Sequence, residues 1–355
     1  MADVELPRVV PRMAPEGVVP LIAVEGTAYD CGRGYAEIVM RKYPGFREYL
    51  DIANYWQKLP PVEKRLIEQR APFLIDVHRG LFKVAGPPRS AKPSKPAGKR
   101  KPAGAGGCTS FGLSGSVTLD GQPISGQTKD TGLDRITRYI VLRMRIKGGP
   151  TILTLCYPGE VLGYGFWTTG MSQFRNTLWS VKTTKLKGLD FMVLGFLCLA
   201  GKSVHEGAEL ALKYGRRGAG NTLIADGSGE SLSIESNEGG VNIIPARDGI
   251  CTHANHPFGP DTSKFEQYPF PTFKADSEVR TFGLWNRFNA DRGRITVQRT
   301  FQLIADHSTY PRGTCKHYGE DGGVTTAAVV TEPTLGRLHV CRGQPCCNWP
   351  VTYTV

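Results

Sequence analysis

The chain of 355 residues contains no apolar run approaching the length of a membrane span, which excludes a helical integral membrane protein. Its first residues, MADVELPRVVPRM, lack the basic-then-apolar layout of a secretory signal, so a soluble protein of the cytoplasm is expected. No CxxC occurs, and the nine cysteines, at 31, 108, 156, 198, 251, 315, 341, 346 and 347, follow no regular framework. Reduced thiols are therefore expected rather than a disulfide scaffold or a paired zinc motif. Histidines are few, seven in all. What is present is ordinary for a globular protein: 40% hydrophobic and 21% charged residues, enough for one large domain or two smaller ones.

The net charge of +12 suggests a nucleic-acid partner until it is located. Residues 87–107, PPRSAKPSKPAGKRKPAGAGG, hold six basic residues and no acid, so half of the excess sits in one tract. Its prolines and glycines oppose a helix or a central strand, and nothing apolar offsets the entropy of ordering it. A solvated linker is the reading. Nucleic acid is a disfavoured partner, and its binding to such a tract would be salt-sensitive.

Before the linker, residues 1–86 read as a mostly helical segment. VVPLIAV is a short β-like run, a helix begins near Tyr35, and helical patterns follow over 46–59 and 61–84. After Cys108 the apolar period becomes two. Phe111, Leu113, Val117 and Leu119 lead to Asp120-Gly121, a hairpin signal, and ISGQTKD forms the return strand. Strands are expected at TRYIVLRMRIK, PTILTLCYP and SQFRNTLWSVKTT. GLDFMVLGFLCLAG is apolar all round and Ser203 with Glu206 opens a capped amphipathic helix; further strands follow to THANHPF. A polar stretch then leads to the helix ITVQRTFQLIADH and two last strands, TTAAVVTEP and GRLHVCRGQP. Two sheets with helices outside them, both sheets antiparallel, is the α+β plan this order implies.

GGCTSFG sits at the seam between linker and sheet. Together with EGTAYDCGRGYAE, ISGQTKD, YPGEVLGYGFWTTGMSQFRNTL, NTLIADGSGESLSIE, THANHPF, SEVR and DHSTYPRGTCKH it makes the chain, from about residue 20 to residue 342, resemble the acyl-coenzyme A:6-aminopenicillanic acid acyltransferase (isopenicillin N acyltransferase) family of N-terminal nucleophile hydrolases. Choloylglycine hydrolases are its more distant relatives. The resemblance implies a four-layer αββα sandwich and self-cleavage at Gly107-Cys108. The products would be a chain of residues 1–107 and a catalytic chain of 108–355, with 1–86 folding into the same domain.

The chemistry that follows needs no histidine. The Cys108 thiol can attack the Gly107 carbonyl, and glycine leaves that approach open. Once freed, the Cys108 α-amino group, of ordinary pKa about 7.7–8.0, can take a proton from a thiol of about 8.5. The acyl-enzyme thioester then meets water or an amine, through a tetrahedral oxyanion that needs fixed donors. By the resemblance Asn255 supplies such a donor, Asp130 orients the α-amino group and thiol, and Asn176 lies near the site. Thr128 stands where relatives often carry asparagine, and Lys316 replaces an expected substrate-binding arginine. The implied partners are a small N-acyl compound and, in the transferase reading, acyl-coenzyme A. No cofactor, metal or membrane is implied, and a homo-oligomer of processed heterodimers remains open. The competing readings are a Cys-His protease using His253, His256, His307 or His317, a metal site at Cys251, His253 and His256, and a basic-tract binding protein on an inactive scaffold.

Overall fold

A computed structural model describes residues 17–50, 55–86, 107–181, 187–317 and 323–355. The linker proper, 87–106, lies outside them, whereas Gly107 lies within.

Two sheets form the centre. The eight-stranded sheet runs in the order β1 (Leu21–Gly26), β4 (Ile140–Ile146), β5 (Thr151–Cys156), β6 (Tyr164–Trp167), β7 (Ser172–Asn176), β8 (Gly220–Ala225), β9 (Ser231–Asn237) and β10 (Gly240–Pro245). The six-stranded sheet runs β11 (Ile250–His253), β2 (Cys108–Leu113), β3 (Ile124–Thr131), β12 (Val324–Glu332), β13 (Arg337–Arg342) and β14 (Val351–Thr354). Within the two sheets the described strand pairings are antiparallel except one: β1 lies parallel to β4, Leu21 against Val141. That exception has a physical cause, because β1 reaches the edge from a separate segment and not through a hairpin.

Three apolar layers fix the order of the stack. Val141, Leu153, Leu155, Phe166, Phe174 and Leu223 of the larger sheet face Ala327, Val329, Leu338 and Val340 of the smaller one. The other face of the larger sheet packs beneath α1 (Ala28–Lys42), α4 (Pro61–Arg70), α5 (Phe73–Ala85), α6 (Phe191–Ala200) and α7 (Val204–Tyr214). Phe111, Leu113, Ile124 and Val330 of the smaller sheet meet Leu284 and Phe288 of α8 (Pro271–Ala290) and Phe301 and Ile304 of α9 (Val297–Ile304). Helices, sheet, sheet, helices is the αββα sandwich.

Several local features differ from the sequence reading. α1 starts at Ala28, with Thr27 accepting from the Asp30 amide as its cap. The long helical pattern before the linker breaks at Ala71-Pro72 into α4 and α5. The first helical pattern contributes α2 (Arg47–Leu50) and α3 (Tyr55–Lys58), separated by residues outside the described set. β2 stops at Leu113 and the chain turns back over 114–123, with Gly121 at a positive φ of 75° inside that loop. β6 and β14 have no counterpart among the strands expected from the sequence, and the polar stretch before α9 is the twenty-residue α8. Between β10 and β11 the chain passes from the larger sheet to the smaller through a turn at Asp248 (φ 51°) and Gly249 (φ 74°). This crossing lays β11 against β2 and delivers Asn255 to Cys108.

Candidate functional site

Cys108 opens β2, and strand alternation sends its side chain to one face and that of Thr109 to the other. Lys129 is the direct partner of Cys108 on β3, and Thr128 the partner of Thr109. The Cys108 face looks between the sheets, where Lys129 Nζ donates to Tyr164 OH of β6 at 2.6 Å and lies 4.1 Å from that ring's centroid. Burial pulls the Lys129 ammonium down, but the Tyr164 phenol and the Cys108 thiol more than reverse this, and the group is held above the ordinary lysine range. A fixed positive charge thus sits on the same face of the sheet as the thiol. Cys108 Sγ itself has no hydrogen-bond partner among the described residues, and no histidine reaches it.

On the opposite face α8 supplies a charged anchor. Arg280 is 1% exposed. Its Nη1 donates to the Cys108 carbonyl and to Thr109 Oγ1, both at 2.8 Å, its Nη2 donates to Asn255 Oδ1 at 2.8 Å, and its Nε donates to Asp276 Oδ2 at 3.0 Å. Lys316 Nζ donates to the same Asp276 oxygen at 2.8 Å. Burial would raise the Asp276 carboxyl, yet Arg280 and Lys316 hold it below the ordinary range. Arg280 was not singled out in the sequence. Its signal there, SEVR, lies in a stretch whose apolar periodicity is weak.

Asn255 ties the start of β2 in place. Its Oδ1 accepts from the Cys108 backbone N–H at 3.1 Å as well as from Arg280, and its Nδ2 donates to the Thr177 carbonyl at 2.8 Å. The two donors facing Oδ1 fix the amide's orientation, and one N–H of Nδ2 has no acceptor among the described residues. The loop carrying it is held by buried polar contacts. Ser277 Oγ accepts from the amides of Asn255 and His256 at 2.8 and 3.0 Å. Glu235 takes His253 Nε2 at 2.6 Å and the amides of Phe258 and Gly259 at 2.7 and 2.9 Å. His253 and His256 serve this scaffold. Burial drives the His256 imidazole down to about 3, so it stays neutral.

Asp130 lies on the Arg280 face. Thr325 Oγ1 donates to its Oδ1 at 2.7 Å, and its Oδ2 is buried with no partner among the described residues. Burial pushes the carboxyl up to about 6, opposed by the charges of Lys316 and Arg280. Its backbone N–H donates to the Gly107 carbonyl at 2.8 Å, so the bond before Cys108 is polarised by a fixed donor. A Cβ at Gly107 would stand 3.0 Å from Asp130 Oδ2 and 3.2 Å from Arg280 Nη2. Close approach, and not a left-handed backbone, is why glycine suits this position.

The remaining sequence candidates separate. Asn176 is 4% exposed and bridges the sheets: Nδ2 donates to Ser110 Oγ and the His253 carbonyl, each at 2.9 Å, and Oδ1 accepts from Gln127 Nε2 at 2.9 Å. Both its donors are engaged, so it braces β2 two residues from Cys108. Thr128 is buried on the α8 face of β3, and its hydroxyl has no partner among the described residues. Lys316 is buried against Asp276 and supports Arg280.

No family model matches the chain, and no curated protein does. Solved structures similar to it include conjugated bile acid hydrolase from Clostridium perfringens, at TM-score 0.45 and 13% identity over 70% of this chain and 97% of that one. The Caenorhabditis elegans ortholog of N-acylethanolamine-hydrolyzing acid amidase gives TM-score 0.45 and 12% identity over 64% and 94%. Penicillin V acylase from Agrobacterium tumefaciens gives 0.40 and 11% over 66% and 82%. Likeness at this level assigns neither a substrate nor a residue role to this chain.

Proposed function

We propose that the protein is a self-processing cysteine amidohydrolase or acyltransferase whose nucleophile is Cys108. The observation that carries this reading is the set of contacts around one peptide bond. The Gly107 carbonyl accepts from the Asp130 amide, the Cys108 N–H donates to Asn255, and the Cys108 carbonyl is gripped by Arg280. The first of these continues the antiparallel ladder of β2 and β3 by one rung; a cysteine that merely began a strand would need neither the Asn255 nor the Arg280 contact.

In the precursor, Cys108 Sγ attacks the Gly107 carbonyl carbon. A C–S bond forms, the C–N bond breaks, and the nitrogen takes up the thiol's proton. Water then hydrolyses the thioester, leaving a carboxylate on Gly107 and a free α-amino group on Cys108. Asn255 Oδ1 already accepts from that nitrogen, and Asp130 Oδ2, which lies beside Gly107 with no partner among the described residues, can accept once the bond has opened. In the mature enzyme the α-amino group takes the thiol proton, Sγ attacks the acyl carbonyl of a small N-acyl amide, and the proton passes to the leaving amine. Water completes hydrolysis of the thioester; an amine completes acyl transfer, for which acyl-coenzyme A would serve as the activated donor. Asn255 Nδ2 supplies an oxyanion donor, and loss of one such donor costs about 100- to 1000-fold in rate. The N-terminal segment has reason to stay bound after cleavage, since β1 is paired along its length with β4 and α1 and α5 share the apolar layer of α6.

The test is the intact mass of purified wild type beside Cys108→Ala. Wild type is expected as two chains cut at Gly107-Cys108 and the variant as one. A folded wild type that stays uncut sinks the self-processing claim. A screen of N-acyl amino acids, β-lactams and short peptides, each with and without acyl-coenzyme A, then defines the substrate.

A further inference from the structure

Outside the smaller sheet, the loop after α9 meets the loop before β14, and four soft ligand atoms converge there. His307, Cys315 and His317 come from the first loop and Cys346 from the second, and their imidazole nitrogens and thiol sulfurs all lie within 4.8 Å of one another. His317 Nε2 is 3.0 Å from Cys346 Sγ and 4.0 Å from Cys315 Sγ, and the His307 and His317 ring centroids are 5.0 Å apart. We propose that these four residues bind one zinc ion in a closed Cys2His2 site.

The chemistry of the set selects the ion. Two thiols with two imidazoles suit zinc, whereas calcium and magnesium take oxygen ligands. Tetrahedral zinc, with Zn–S about 2.3 Å and Zn–N about 2.0–2.1 Å, spaces its ligand atoms roughly 3.5 Å apart. The observed separations therefore need shifts of about an ångström or less to close around it. Four protein ligands leave no open position, so the site is structural and not hydrolytic. Binding releases both thiol protons to solvent and couples the two loops. Cys315 is buried while Cys346 and His307 are exposed, which gives the ion a route in from solvent. The ligands have no zinc spacing in sequence, since Cys346 follows His317 only after β12 and β13.

The placement also matters for the candidate active site. Lys316 lies between two of the ligands. Its N–H donates to Thr325 Oγ1 at 2.8 Å, its carbonyl accepts from the Thr325 amide at 2.9 Å, and its Nζ reaches Asp276. Thr325 in turn donates to Asp130. An ion gripping residues 315 and 317 would hold Lys316 and Thr325, and through them the carboxylates facing Arg280.

The experiment measures zinc in the full chain, purified under reducing conditions without chelator, by elemental mass spectrometry. Wild type and Cys108→Ala are both expected to carry about one zinc per chain, since the site does not depend on processing. Cys346→Ser, at an exposed position, is expected to lose about tenfold or more of its zinc affinity. Chelation should lower the melting temperature of wild type and leave that of Cys346→Ser unmoved. Cobalt reconstitution of the chelated wild type should give thiolate charge-transfer and tetrahedral ligand-field bands, a readout independent of any variant's folding. The proposal is overturned by a zinc-free wild type that takes up none on reconstitution. Zinc retained equally by Cys346→Ser and His317→Ala, a native Cys315–Cys346 disulfide in non-reducing peptide maps, or cobalt without thiolate bands would also overturn it.

Discussion

Replacing Arg280 by methionine removes the guanidinium while keeping much of the apolar stem. Four hydrogen bonds disappear with it, to Asp276, the Cys108 carbonyl, Thr109 and Asn255. Bonds to charged groups contribute about 1.5–3 kcal/mol each, so a naive sum overshoots, because the variant also escapes the cost of burying a cation. The dominant loss is the unbalanced charge left behind, Asp276 with Lys316 as its remaining partner and Asp130 with one cation fewer nearby. Breaking a buried ionic set this way costs about 3–5 kcal/mol, or roughly a 4–7 °C fall in melting temperature for a chain of this size. Pairing it with Asp276→Asn tests the cause, since the double variant should be about 0.5–3 kcal/mol more stable than the sum of the single losses predicts. Thermal melts read the stability and intact mass reads cleavage, which should be strongly slowed in Arg280→Met even at temperatures where it remains folded. Wild-type stability together with complete processing would refute the role given to Arg280.

Two further outcomes follow from single positions. His78 is buried against Phe196, its Nδ1 lacks a partner among the described residues, and burial lowers its imidazole to about 4. The folded state thus resists the proton that the unfolded chain accepts near 6.5, so this contribution is intact above pH 6.5 and is lost as pH falls toward 4, by about 3 kcal/mol. In urea melts across that range His78→Leu should lose less stability than wild type, and parallel curves would rule the explanation out. Gly107→Ala places a methyl 3.0 Å from Asp130 Oδ2 and 3.2 Å from Arg280 Nη2. The displaced carbonyl should slow cleavage by about ten- to a hundredfold in a time course of intact mass, and cleavage at the wild-type rate would show that the close packing is irrelevant.

The sequence alone determined a good deal of this protein. The switch of apolar period at Cys108, the all-apolar α6 and the Ser203 cap of α7 were legible because each is a local pattern answering to local geometry. The Gly107-Cys108 seam, Asp130 and Asn255 were legible as residues, and the resemblance suggested their roles. SEVR stood among the motifs of the resemblance, but only the tertiary structure placed Arg280 against Cys108 and Asn255. The buried face of α8 carries Asp276, Ser277, Arg280 and Thr281 beside Phe273, Leu284 and Phe288, so a helix that solvates charges with other charges shows little hydrophobic periodicity. The parallel seat of β1 and the passage of the chain between sheets at Asp248-Gly249 were likewise decided by packing over long sequence separations. The convergence of His307, Cys315, His317 and Cys346 belongs to the same class, since no spacing in the chain reveals that two loops joined through β12 and β13 meet in space.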